Sequence, residues 1–428
     1  MATIDTAALG ELLKRLYAPW EIEQQVNLTY PVLAECAQEG SAQLGGTGFF
    51  FPVRLESAES HAYITETQDL PVTATGTFVK QAEVDPKIQA GVVQLSGLGM
   101  SVSSGSAASF ARSFDENTSQ TIEAMSAYKE GTLFRTGSGI LTTATGAATA
   151  QVIPVADPSH IREGMQIAIY DTSSAGGAET WFHGKAGGSG RLTVTDVDWV
   201  NKTVEVASSP TVVTIASGDA LYLAGSQNET TGTAPSAREP EGLELSIGTS
   251  SGTYLGLSRT AGAQGARNWT PNLITASAFL DEALLLRGRT RITQETGIAL
   301  QTQSRSFKIV THPMQADVLF KLAIPRIRYS GNESFDLGNS DEVKFGNIPI
   351  VCSYNAPSDK AYLGDWSKHV SLYTPNGKLH IDTEYNGAAL KWVATKDVGL
   401  VFLKEYFNFA NKAPNCFVRY SSLSELSR

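Results

Sequence analysis

Gly248–Thr249–Ser250–Ser251–Gly252 is the one stretch of this sequence that fits a catalytic pattern, G-x-S-x-G. In hydrolases that pattern holds a serine on a strained turn between a strand and a helix. The preceding "GLELSI" reads as a strand, but "TYLGLSRTAG" after it has no helical pattern, so Ser250 lacks the helix N-terminus the mechanism uses. With 39 glycines in the chain, such a match arises by chance. The six histidines (His61, His160, His183, His312, His369, His380) form no cluster with cysteine or acid. His380 and Asp382 in "HID" share a strand face, but no third ligand stands near them in sequence. Asp196 and Asp198 in "TDVDW" lack the glycine and downstream glutamate of a calcium loop and read as a solvated strand face. "FHGKAGG" has no glycine five residues before its lysine, so it is no phosphate cradle. Cys36, Cys352 and Cys416 lie too far apart for a CxxC zinc site or a disulfide framework. The expectation is a protein without enzymatic activity, cofactor or metal.

If the chain does no chemistry, its elements must position something else. At 428 residues it is too long for one ordinary core. Hydrophobic residues make up 42% and charged residues 18%, the deficit being filled by small and hydroxyl side chains that favour strands and flat contact surfaces. No apolar run approaches the ~20 residues that span a bilayer. The start, "MATIDTAALGELLKRLYAPW", lacks the pattern of a signal peptide, so no membrane partner is expected. Charge is uneven: residues 1–139 hold 8 basic against 16 acidic side chains, 140–237 hold 4 against 9, and 238–428 hold 21 against 18. None of these segments has the dense basic footprint of a dedicated DNA reader.

Leu9, Leu12, Leu13, Leu16, Tyr17 and Trp20 fall on one helical face, capped by Asp5 or Thr6 and stopped at Pro19. A stripe that rich must dock, either on the chain's own body or on a neighbouring copy. Next, "GTGFFFPVRL" predicts a short strand. From Ser106, Phe110, Phe114, Thr121, Met125, Tyr128 and Thr132 keep a seven-residue rhythm that predicts a helix of about 25 residues, nearly 40 Å long, lying as a strut across a surface. Residues 140–237 open and close on low-complexity joins. Between these, short alternating strands, with a turn at Val200–Asn201–Lys202, predict a small inserted barrel or sandwich. In 238–428, "LITASAFLDEALLLRGRTRITQETG" predicts a helix capped by Thr275 or Ser277. "PMQADVLFKLA" predicts another, with Met314, Val318, Leu319 and Leu322 inward, against a single sheet. Pro375–Asn376–Gly377 predicts a hairpin turn.

The stretch between these elements is the informative one. "ESAESHAYITETQDLPVTATGTFVKQAEVDPKIQAGVVQLSG", residues 56–97, reads as two extended arms. Polar residues interrupt its apolar pairs, and Pro71 and Pro86 break any continuous central strand. A two-stranded ribbon of this kind is marginal alone in water.

The order of these elements resembles the major capsid protein of tailed bacteriophages, the HK97-like fold, over most of the chain outside the insertion. The return "VVQLSGLGM" into "SVSSGSAASFARSF" is similar to that family's passage from extended loop to spine helix. "LDEALLLRGRTRITQETG", "FKIVTHPMQADVLFKLA", "NIPIVCS" and "YLGDWSKHVSLYT" resemble its peripheral and axial domains. The resemblance implies an α+β, HK97-like chain. Its parts are an N-terminal arm (1–48), an extended loop with flanking strands (49–100), a spine helix (101–139), an inserted all-β domain (140–237) and a peripheral/axial domain (238–428). It implies self-assembly into hexamers and pentamers around packaged double-stranded DNA, in a phage head made in the bacterial cytoplasm. The implied partners are a scaffolding protein and a portal during assembly, and a decoration or cement protein afterwards. Because the arm starts near Met1, scaffolding would be a separate protein or absent. The arms of 56–97 would find their missing face on another chain. Inter-subunit contact is expected from Leu12, Leu16, Trp20, Tyr63, Val72, Phe78, Val79, Lys80 and Lys87, and loss of 60–90 is expected to spare folding. Some relatives join a loop lysine to a neighbour's asparagine; Lys80 and Lys87 lie in the loop and Asn408, Asn411 and Asn415 near the C-terminus, with no motif to pair them. An encapsulin-like shell is the near alternative, and a β-rich phage tail or secreted hydrolase or binding protein using Ser250 the distant one. Residues 140–237 expressed alone are expected to melt in one cooperative thermal transition by circular dichroism; a disordered product would remove the inserted-domain reading.

Overall fold

The computed structural model describes residues 30–39, 48–56, 65–66, 77–97, 107–148, 151–170, 181–182, 191–207, 215–227, 238–298, 300, 306–327, 344–345, 348–374, 380–381, 390–393 and 395–424. The expected helix at 9–20, the loop positions Tyr63 and Val72, and the turn at 375–377 lie outside them.

In chain order the first elements are β1 (Ala37–Glu39), β2 (Phe49–Glu56), β3 (Phe78–Val84), β4 (Lys87–Ser96) and α1 (Ala107–Leu133). A β module follows: β5 (Ile140–Thr143), β6 (Val152–Pro154), β7 (Gln166–Tyr170), β8 (Trp181–Phe182), β9 (Leu192–Asp198), β10 (Thr203–Val206) and β11 (Ala220–Leu223). Then come α2 (Leu243–Ile247), β12 (Thr253–Tyr254), β13 (Leu257–Ser258), β14 (Asn272–Thr275), α3 (Glu282–Thr296), β15 (Phe307–Thr311) and α4 (Pro313–Ile327). The chain closes with β16 (Lys344–Phe345), β17 (Ile348–Cys352), β18 (Ala361–Asp365), α5 (Trp366–His369), β19 (Val370–Tyr373), β20 (His380–Ile381), β21 (Leu390–Trp392), β22 (Val398–Asn411) and β23 (Val418–Ser421).

Strand β22 is the spine of one six-stranded sheet. It pairs antiparallel with β4 over Val398–Phe407, with β19 at its far end, and with β20 and β21 along its other edge; β1 extends the sheet beyond β19. Over the stretch facing β4, burial alternates strictly, as one covered face requires. The last residues, Phe407–Asn411, are buried on both faces. Helix α1 covers the inner face. Gly91 permits its approach, since a Cβ there would meet Met125 Sδ at 2.5 Å. Met125 packs with Val93, Val401 and Leu403, and Lys129 makes a buried ion pair with Glu405 while lying 4.7 Å over the Phe407 ring.

A strut was expected at α1, but its C-terminal half is core. Leu133 and Phe134 join Trp366, Phe409 and Phe417 in the central cluster, and Glu130 is fully buried. Its carboxylate accepts from Val32 N (2.9 Å), Leu33 N (3.3 Å), Asn355 Nδ2 (3.4 Å) and the Ser353 hydroxyl. Burial raises its pKa, against the pull of those four donors. The seven-residue rhythm marks which face is apolar, but it is silent about charged residues that are buried because they are fully bonded.

A second six-stranded sheet, β14-β23-β18-β15-β17-β16, forms a separate layer, so 238–428 builds on two sheets rather than the single one expected. Leu273–Thr275, included in the helical stretch expected from sequence, lie instead in β14, which pairs parallel with β23. The helix begins later because Asp281 caps it, its side chain accepting from Leu284 N at 2.8 Å, and Gly297 ends it at φ 70°. On α4, Val318 is buried as expected but Leu322 is 49% exposed; Gln315 and Ala316 take the inward positions. "GLELSI" is helix α2 rather than a strand, and its Glu244 is held by the Tyr362 hydroxyl (2.5 Å) and Arg419 Nη1 (2.6 Å).

The β module of 140–223 forms its own sheet, β5-β11-β7-β9-β10-β6 with β8 beside β7, around Ile153, Ile161, Ile167, Ile169 and Val204. The expected turn at Val200–Lys202 joins β9 to β10, with Lys202 at φ 53°. Asp198 caps that turn, accepting from Val200 N (2.8 Å), Asn201 N (2.9 Å) and Asn201 Nδ2 (2.6 Å), which lowers its pKa. It is a turn residue, not part of a plain solvated face.

Glu130→Ala is expected to lower stability by about 3 kcal/mol, because it strands four buried donors. Chemical denaturation of the purified chain measures this, and a change under about 0.5 kcal/mol would show that the donors are satisfied elsewhere.

Candidate assembly surface

The hairpin β2–β3 has two unlike faces because side chains alternate along each strand. Phe49, Val53 and Leu55 from β2, with Ala82 and Val84 from β3, are buried against Tyr254, Leu257, Trp269 and Tyr373. Trp269 stacks on Tyr254 at 5.7 Å, and its indole nitrogen donates to Tyr254 O at 3.2 Å. The opposite face carries Phe50, Pro52 and Arg54, opposed in register by Glu83, Gln81 and Val79. Phe50 is 43% and Val79 52% exposed.

The outer face of β4 and β22 continues the theme. Cross-strand pairs Ile88–Tyr406, Ala90–Lys404 and Val92–Phe402 point away from α1. Ile88 is 62% exposed.

These observations correct the expectation for 56–97. Its returning half does not wait for another chain: β3 pairs with β2, and β4 forms a ten-residue ladder with β22. Only one face of that half stays uncovered, and the distal part, 57–76, lies outside the described residues except for 65–66. Deleting 60–90 would remove β3 and the start of the ladder, so that deletion is no longer expected to spare folding.

Among the expected contact residues, Val79 is outward and exposed. Lys80 is exposed, with its ammonium 5.2 Å over the Phe78 ring. Phe78 itself is half-buried against the hairpin's own cluster. Lys87 starts β4, half-buried; burial raises the pKa of Glu241, and the nearby Lys87 ammonium opposes that rise without cancelling it. Leu12, Leu16, Trp20, Tyr63 and Val72 lie outside the described residues. Phe50 and Ile88 were missed, although "FFFPVRL" alternates and could have shown that its middle phenylalanine faces away from its neighbours.

Two of the three asparagines offered for crosslinking, Asn408 and Asn411, are committed elsewhere; Asn415 is half-buried. Asn408 is fully buried: its oxygen accepts from Glu241 N and Phe409 N, both at 2.8 Å, and its amide donates to Asp85 O at 2.6 Å. Asn411 accepts from Ala413 N at 3.1 Å and donates to Ser246 Oγ at 3.4 Å. These side chains lock the turn at Asp85 and the start of α2. Ser250 is exposed on a loop after helix α2 and before the two-residue β12, so the strand–serine–helix geometry of a nucleophile elbow is absent. No group of three or more His, Cys, Asp or Glu gathers among the described residues. No helix among them is long and apolar enough to cross a membrane.

No protein-family model and no curated protein matches this sequence. Among solved structures, the chain is similar to the capsid asymmetric unit of cyanophage A-1(L). The identity is 11% and the TM-score 0.57, over 95% of this chain and 96% of that one. It is also similar to the capsid of the native GTA particle, at 9% identity and a TM-score of 0.48 over 95% of each chain. A third likeness is to the SrpI encapsulin of Synechococcus elongatus, at 9% identity and a TM-score of 0.46 over 100% of this chain and 99% of that one. The first likeness spans nearly all of both chains and shows the fold: this is an α+β chain with the HK97-like fold of tailed-phage capsid proteins.

Removing 58–76 with a short Gly/Ser bridge, or introducing Phe50→Asp with Val79→Asp, is expected to leave circular dichroism and the melting temperature near wild type while abolishing higher-order assembly in sedimentation velocity. A collapse of the fold in both variants would mean this face belongs to the subunit's own core.

Proposed function

We propose that this chain is a major capsid subunit of a tailed phage. In this reading it self-assembles into pentamers and hexamers that form the icosahedral shell around double-stranded DNA. The carrying observation is a capsid-protein fold over 95% of the chain, bearing a hairpin with one packed and one uncovered apolar face. A head-to-tail contact, in which the uncovered face of one copy meets a different surface of the next, closes into rings when a whole number of the rotations between neighbours makes one full turn. Each contact can be modest, because several act together at high effective concentration.

The charge distribution fits that role. Residues 1–139 carry 8 basic against 16 acidic side chains, so a wall built from them repels the phosphate backbone rather than gluing it down. The 140–237 module projects outward or bridges neighbouring capsomers. A scaffolding protein and portal act during assembly, and a decoration protein is a candidate ligand of the finished shell. Synthesis takes place in the host cytoplasm and the chain ends in the virion.

Purified protein, alone or coexpressed with its scaffold, is expected to give rings or closed shells tens of nanometres wide in negative-stain micrographs. A monodisperse 45.7 kDa monomer with esterase activity that Ser250→Ala removes would overturn the proposal.

A further inference from the structure

His160 sits where three parts of the molecule meet. It belongs to the turn 157–162 between β6 and β7, whose Ile161 is in the core of the β module. Its imidazole lies against the last turns of α1, at Gly131: a Cβ there would stand 3.3 Å from His160 Nδ1 and 3.6 Å from Arg135 Nη2. Glycine inside a helix costs roughly 1 kcal/mol relative to alanine, and here it makes room for the ring. The same turn reaches the 353–360 loop, where Arg162 Nη2 donates to Asn355 Oδ1 at 3.5 Å. Beside it, Trp199 of the module packs on Tyr354 at 5.3 Å.

This junction is polar, buried and incompletely bonded. Just past the end of α1, Arg135 pairs with Glu239 at 3.1 Å and lies 4.8 Å over the Tyr128 ring of α1, and the Tyr128 hydroxyl donates to Glu239. Arg135 Nη2, His160 Nδ1 and Glu239 Oε2 are all buried without a hydrogen-bond partner. The charges that reach His160 are cationic from each side: Arg135 just past the end of α1, Arg162 on its own turn, and Lys360 on the facing loop. The nearby acids are engaged: Asp157 accepts from Ser159 N at 2.9 Å, Glu244 binds Lys360 at 3.3 Å, and Asp359 feels Lys360 most among its neighbouring charges.

We propose that His160 is an acid-sensitive latch between the β module and the spine helix: its neutral ring fits the docked junction, and a proton on it undocks the turn 157–162 from Gly131. A fourth cation in that ring of three is repelled, whereas in the undocked state water solvates it. Burial, then those cations, hold the docked imidazole's pKa well below 6.5. The sign follows: the docked state gains nothing from protonation, the undocked state does, so docking is fully favoured above pH 6.5 and weakens as pH falls below it. The undocked population rises by up to about tenfold per pH unit in that range.

Hydrogen exchange by mass spectrometry on the full-length protein, at about pH 7.5 and about pH 5.5, tests this once the intrinsic pH dependence is divided out. The expected result is an acid-induced gain in exchange at 128–136 and 155–165, with the β4–β22 ladder unchanged. His160→Gln and His160→Phe are expected to remove the acid response. Equal junction exchange in the wild type at both pH values overturns the latch, whether or not either variant folds. An acid response that persists in a folded His160 variant also overturns it, placing the sensor on Asp157, Asp359 or Glu239.

Discussion

The ladder between β4 and β22 holds the rest together. Its ten residue pairs tie the strand that follows the β2–β3 hairpin to β22, the longest strand among the described residues. That strand also carries β19, β20 and β21, so one element fixes the loop's return, the helix above it and the closing layer. Gly91 and Met125 set how near α1 lies, and Lys129 with Glu405 fixes its azimuth. A polar backbone half-exposed in a loop is costly unless paired, and here the pairing partner is the chain's own C-terminal strand. One face of the returning arm is used up inside the subunit, and the other stays uncovered.

Around that ladder the molecule relies on buried charge to join its layers. Glu130 of α1 draws together the Val32–Leu33 segment, α1 itself and the 353–355 loop. Glu244 does the same for α2, β18 and β23 through Tyr362 and Arg419. Asn408 pins the turn between β3 and β4 to the start of α2. Such groups cost more to strand than they gain when paired, so they specify one arrangement of layers more than they add stability. The junction at His160 differs in that its polar atoms are only partly bonded. That difference is why it, and not Glu130, reads as a hinge.

What could be read from sequence follows the same physics. The alternation in "RLTVTDVDWVNKTVEV", with its turn residues, was enough to place β9 and β10, and the long periodic run after Ser106 placed α1. Element order carried the fold itself. The failures share a cause: pairing and burial decided by distant residues. "LITA" became strand because β23 lies beside it, and "GLELSI" became helix because Glu244 serves Tyr362 and Arg419. The arms of 56–97 looked unfinished because their partners, β2 and β22, flank them at opposite distances, one adjacent and one some 300 residues away in the chain. The candidate surface was only half visible: Val79 and Lys80 were within reach of pattern reasoning, whereas Ile88 required knowing which face of β4 the helix covers.

A cryo-electron microscopy map of assembled particles tests the central claim most directly. The account predicts that each hairpin keeps its Phe49, Val53 and Leu55 in its own subunit while Phe50, Val79 and Ile88 are covered by a second copy. Particles in which those three side chains face open solvent, or a protein that never assembles and leaves them bare, would contradict it.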